Sequence, residues 1–289
     1  MQTHVGAASP AGYYADMQLI GLDVGFSATK PTSAVATLVD KLCIVGRATA
    51  VAADRQKLLT RVSEAEIAAI DAPLLPLFDS RIRACERLFA RGLFQRRCKP
   101  GFSHVAGTGL ELRRSGIESA AQLAPVVSAE RFSTAFPQVI RPRNIVEAFP
   151  NAFLGVCIAD EHYRSMPVLR RGQKFDWLYD RWCMDDIFGK LVAGLTEVLP
   201  ESVVHTCGNN RDHEERAALV CLATAGCVAA GRYTAVGEET GGYFFLPPWF
   251  LWADWSREEL RRQRDIDRSV DVWIDGVVYP SGKVLPAAV

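Results

Sequence analysis

The chain has 289 residues, 49% hydrophobic and 23% charged, enough apolar material for a large core in one elaborated domain or two small ones. Its formal net charge is zero, so no global field draws polyanions and any nucleic-acid contact must come from local basic patches. No stretch approaches the roughly 18 unbroken apolar residues of a membrane helix; the eight cysteines are scattered without a CxxC pair, as expected of small buried hydrophobes in a reducing compartment, and a cytoplasmic protein is expected. Residues 1–16 are small and polar and are expected to form a disordered extension.

From Met17 the pattern QLIGLDVGFS, SAVATLVD, KLCIVGRATA reads as three strands with short connections suited to an antiparallel meander. RQKLLTRVS follows as a short helix, and EIAAIDAPL, almost continuously apolar, as a strand covered on both faces. Residues 77–142 are expected to be an insertion with helices at 81–91, 117–123 and 129–135, after which NIVEAFP returns as a fifth strand. A second insertion, 151–208, contains an amphipathic helix from Asp185 to Leu199. Both insertions are expected to roof the site. HTCGNNRDHEER leads into a long apolar helix, Glu214 to Ala230, stopped at Gly231. YTAVGEETGGYFFLPP is expected to end the core near residue 250, and residues 251–289 to form a C-terminal extension with a hairpin around Asp275 and Gly276.

Acidic residues stand at the ends or starts of these core elements: Asp23, Asp71 and Glu147 in three apolar strands, and Asp212, Glu214 and Glu215 at the head of the last helix. A carboxylate in an apolar strand costs several kcal/mol unless its charge is offset, so the repetition points to a shared cation or substrate. Basic residues concentrate between Asp79 and Arg114, nine against three acids, which suggests phosphate contacts. Arg83, Arg87 and Arg91 fall on one side of a helix if the run is helical. Trp177, Tyr179 and Trp182, interleaved with cations, read either as core or as a base-stacking surface. PPWFLWADW reads as core or as a contact between two copies in a homodimer.

The motifs GLDVG (21–25), IDAPL (70–74), RACERLFAR (83–91), VEAFP (146–150) and DHEERAALVCLATA (212–225), in this order, resemble a family of ribonuclease H-like nucleases labelled domain of unknown function 429, over about residues 18–246. The resemblance implies an α/β fold: a ribonuclease H-like mixed five-stranded sheet with flanking helices over residues 17–250, interrupted by the two insertions. It implies a metal-dependent nuclease using Mg²⁺ or Mn²⁺, with Asp23, Asp71, Glu147 and Glu214 catalytic, Asp212 as a further metal ligand, and Arg83, Arg91 and Lys30 contacting a nucleic-acid substrate. The family pattern places an acid just before the ALVC run, where this chain has Ala217 and Ala218, which leaves open which helix acid completes the site.

Carboxylates holding two divalent ions about 4 Å apart would supply the activated water and charge stabilisation that phosphodiester hydrolysis needs, and hard oxygen ligands suit these ions. His213, beside the acids, could assist proton transfer or simply be solvated. Two other readings stay open. LDVGFSATK, with Asp23, Gly25, Ser27 and Lys30, is similar to the phosphate loop of sugar kinases and actin-like ATPases. Alternatively the chain is an inactive binding protein of the same fold, its buried acids satisfied by arginines.

Overall fold

The computed structural model describes residues 17–75, 82–98, 107–129, 143–170 and 172–287; the expected N-terminal extension lies outside them. The opening meander is as the alternation of apolar runs and turns foretold: β1 (Leu19–Asp23), β2 (Ser33–Val39) and β3 (Leu42–Ala48). Asp40 and Lys41, both at positive φ, make the two-residue turn whose twist suits a hairpin. α1 (Ala52–Leu58) begins three residues earlier than expected and is followed by β4 (Ile67–Asp71). The arginine-rich run is two short helices, α2 (Ala84–Phe89) and α3 (Gly92–Cys98), broken at Gly92 with φ +54°. α4 (Thr108–Leu123) is longer than the expected 117–123 segment. Of the expected helix at 129–135, Ala129 instead pairs with Arg143 in a β-bridge, and the remainder lies outside the described residues.

After β5 (Ile145–Ala148) the second insertion is a succession of helices: α5 (Pro150–Gly155), α6 (Asp160–Arg164), α7 (Gln173–Met184), α8 (Ile187–Gly194) and α9 (Glu201–Asn209). The helix expected over 185–199 is shortened to α8, entered through Asp186 in the left-handed region. α10 (His213–Ala229) ends as expected at Gly231, whose φ of +65° lets Arg232 N–H reach back to the Cys227 carbonyl. β6 (Thr234–Glu238) and β7 (Gly242–Leu246) follow, then α11 (Asp254–Ile266), β8 (Asp271–Ile274) and β9 (Val277–Tyr279).

Among the described residues nine strands form one mixed sheet, ordered β3-β2-β1-β4-β5-β7-β6-β8-β9. The expectation of five strands is therefore corrected. GEETGG turns the β6–β7 hairpin instead of ending the core, and the C-terminal hairpin, turned by Asp275 and Gly276 at positive φ, is annexed to the sheet through β6–β8 pairing. β7 continues the parallel run from β5. Strands of three to five residues carry little periodicity, which is why these four were not counted in the sheet.

Two apolar layers sandwich the sheet. One cluster gathers Ile20, Leu22, Ile70 and Ile145 against Ala120 and Leu123 of α4. The larger one gathers Leu19, Ala69 and Val146 with α10, the insertion helices and the C-terminal aromatics. α10 is apolar all round because it is buried between the sheet and those helices. Trp182 and Tyr179 lie within this core, their Nε1 and OH donating to the Leu154 and Cys207 carbonyls, so the stacking option for this cluster gives way to core packing. Trp249, Trp252 and Trp255 of PPWFLWADW are buried as well. The cysteines are unpaired and, except for half-buried Cys183, buried. Among the described residues no helix is long and apolar enough to cross a membrane.

Candidate active site

Asp23 and Asp71 close adjacent parallel strands and are direct register partners. Partners in a parallel pair send their side chains to the same sheet face, with the strands about 4.8 Å apart. Asp23 is also in register with Ala34 of β2, and Ala34 with Arg47 of β3. One row across four strands thus reads Arg47, Ala34, Asp23, Asp71.

α10 brings further acids to this row. It packs backbone against backbone on β1: a Cβ on Gly21 would lie 2.3 Å from the Ala218 carbonyl oxygen and 2.2 Å from the Leu222 nitrogen. Glu214 lies four residues before Ala218, a rise of about 6 Å, and Asp23 two residues beyond Gly21, about 6.6 Å. Glu214 comes near enough for its charge to act on Asp23. Ala217 and Ala218 are buried, Ala218 at this contact, and the acids of α10 stand in the turn at the helix start.

Of the three helix acids, Asp212 caps α10 by accepting from Glu215 N–H at 3.1 Å. Its other oxygen meets Arg47 Nη1 at 2.9 Å, and Glu214 Oε1 lies 3.2 Å from Arg47 Nη2. Glu215 turns away to Asn210 Nδ2 at 2.7 Å. Burial raises the Asp23 carboxyl well above its ordinary range; the charges of Asp71, Glu214 and Asp212 push it further up, and Arg47 pulls it down. Burial likewise pushes Asp71 up to about 7, with the Glu147 charge adding to the shift. Buried Cys221 of α10 lies beneath the pair, its thiol held against the backbone of Asp71 and Leu22.

Glu147 does not join this group. It pairs with Ile70, not Asp71, so its side chain leaves the opposite face of the sheet. Both its oxygens accept from Arg83, Nη1 to Oε2 at 2.6 Å and Nη2 to Oε1 at 2.8 Å, and Arg83 also bonds Glu86 at 3.0 Å. Burial pushes the Glu147 carboxyl up to about 7 while the guanidinium pulls it back; two short parallel bonds mark the pair as charged.

The expected arginine row is also dispersed. Arg83 is buried ahead of α2 and lies over the Phe244 ring, Arg87 pairs with Asp267, and Arg91 approaches the same Asp267 at 3.7 Å. α2 is too short to carry all three on one side. Lys30 is exposed in the turn after Asp23, on the same segment as Pro31, whose carbonyl Arg47 also contacts. His213 bonds Asp176 of α7 at 3.1 Å and stands apart from the acid pair. Arg216 ties α10 to Asp176 and Asp180, so α7 of the second insertion braces α10.

In the β1–β2 turn, which a phosphate loop would use, hydroxyls already accept from the amides: Ser33 from Gly25 at 2.9 Å, Thr32 from Ser27 at 3.2 Å and Ser27 from Lys30 at 2.8 Å. A phosphate there would have to replace them.

The ligand atoms near Asp23 are carboxylate oxygens, close enough for their charges to push the Asp23 carboxyl upward, a set suited to a hard divalent cation. As placed, and among the described residues, no three His, Cys, Asp or Glu side chains stand together as an ion cage. Arg47 is the site residue that sequence reasoning missed; its signal was a lone cation in an otherwise apolar strand, CIVGRATA, at the spacing that shares a face with Cys43 and Val45. Compared with protein-family models, curated proteins and solved structures, the chain matches none.

Proposed function

We propose that this protein is a divalent-metal-dependent phosphodiester hydrolase acting on nucleic acid, built on a ribonuclease H-like frame. The observation that carries the reading is the pairing of Asp23 with Asp71, side by side on one face at the ends of the central parallel strands, with the Glu214 charge acting on Asp23. Supporting it, the segment β3-β2-β1-β4-β5, with β2 antiparallel to β1 and β4 and β5 parallel, has the arrangement that the resemblance implies. The four strands beyond β5 would be an elaboration of that frame.

In this reading Asp23 and Asp71 hold the ion, and Glu214, with Asp212 beside it, completes the ligand set. A bound Mg²⁺ or Mn²⁺ supplies an activated water and offsets charge on the phosphoryl oxygens. The burial that raises both aspartates keeps the carboxylates poorly hydrated, and therefore strongly attractive to a cation. Exposed Lys30, on the turn that leaves Asp23, supplies a charge for a substrate phosphate. Glu147 and Arg83 hold the sheet to α2 instead of acting on substrate.

The test is hydrolysis of labelled DNA, RNA and DNA–RNA hybrid with Mg²⁺ or Mn²⁺, comparing the parent with Asp23→Asn and Asp71→Asn. Both substitutions are expected to abolish turnover. Equal activity in all three proteins removes the pair from the mechanism.

A further inference from the structure

We propose that Arg47 is an internal counter-cation that holds Glu214 and Asp212 away from the Asp23–Asp71 pair, and that a divalent ion must displace it to complete its ligand set. The proposal rests on the metal-dependent reading above.

Strand register places Arg47 on the same face as Asp23, two strands away, with only the Ala34 methyl between them. An arginine side chain spans that gap. Its two terminal nitrogens are divided between the helix acids, at 2.9 Å to Asp212 and 3.2 Å to Glu214, and the second nitrogen also reaches the Pro31 carbonyl. The guanidinium's single positive charge offsets part of the negative charge of the cluster. With its side chain 32% exposed, it has an open path to swing into solvent. These two contacts leave the candidates for third and fourth ligand facing a cation.

Removing a competing charge a few ångströms from the site should tighten cation binding by roughly tenfold or more. The experiment is calorimetric titration of Mn²⁺ into the parent, Arg47→Gln, Arg47→Lys and Arg211→Gln at fixed ionic strength and pH 8. Arg211, exposed one residue before Asp212, donates to the Gly208 and Asn210 carbonyls and controls for loss of a nearby charge. Arg47→Gln is expected to bind about ten times more tightly, and Arg211→Gln within about twofold of the parent. Arg47→Lys, a single point charge that cannot bridge both acids, should fall between parent and Arg47→Gln, and it carries the test if circular dichroism shows Arg47→Gln unfolded. An Arg47→Gln affinity no tighter than the parent's overturns the proposal, as does equal tightening in Arg211→Gln. If the parent binds through Asp23 and Arg47→Gln shows no gain, the role of Arg47 alone falls; if no variant binds Mn²⁺, the metal reading falls with it.

Discussion

Arg83 and Glu147, 64 residues apart in the chain, meet through two parallel bonds of 2.6 and 2.8 Å with both side chains almost wholly buried. Such a pair is costly to break from one side, because the remaining charge stays in a low-dielectric setting. Arg83→Met should therefore lower stability by about 3–5 kcal/mol in urea unfolding, and Arg83→Met combined with Glu147→Leu should recover most of the loss. A loss below about 1 kcal/mol in the single variant would show that the pair carries no such charge.

Asp71 links stability to pH with a definite sign. Its folded pKa, about 7, is above the ordinary carboxylate value, so the native state binds a proton more tightly than the unfolded chain. Stability contributed by this group is then highest at low pH, declines as pH rises from about 4 to about 7, and stays reduced above that. Asp71→Asn should raise the melting temperature at pH 8 by several degrees, for a gain of roughly a few kcal/mol, and at pH 5 by clearly less, since only about a third of the loss has accrued there. A substitution that abolishes hydrolysis while stabilising the fold marks a residue retained for chemistry. Equal melting shifts at both pH values would remove the titration of Asp71 from the account.

The α10–β1 contact leaves no room for a side chain at Gly21. Gly21→Ala should cost roughly 3 kcal/mol or more, through backbone displacement rather than lost conformational freedom. Placing an acid on the helix side of this contact, as Ala218→Glu, should prevent folding, since it buries a carboxylate there. Circular dichroism of the two variants checks this, and a well-folded Ala218→Glu protein would contradict the packing described.

The centre of this molecule was legible in its sequence, and its margins were not. GLDVG and IDAPL announced buried strands ending in aspartate, and the α10 boundary at Gly231 followed from helix-stop chemistry. Side-chain direction at Glu147 was invisible, because one residue of strand register decides the face and no local pattern encodes it. The arginines of 83–91 looked like a row only on the assumption of one helix, which the turn at Gly92 and the short α2 undo. Arg47 escaped notice because its role depends on register across three strands and on a helix 165 residues later in the chain. The sheet grew from five strands to nine through hairpins too short for periodicity to register.

The central claim is that Asp23 and Asp71 together hold a divalent ion. Crystals soaked in Mn²⁺ and measured at the manganese absorption edge test it directly. The account requires an anomalous peak between the two carboxylates, lost in Asp23→Asn; a map with full occupancy elsewhere and none at this pair would contradict it.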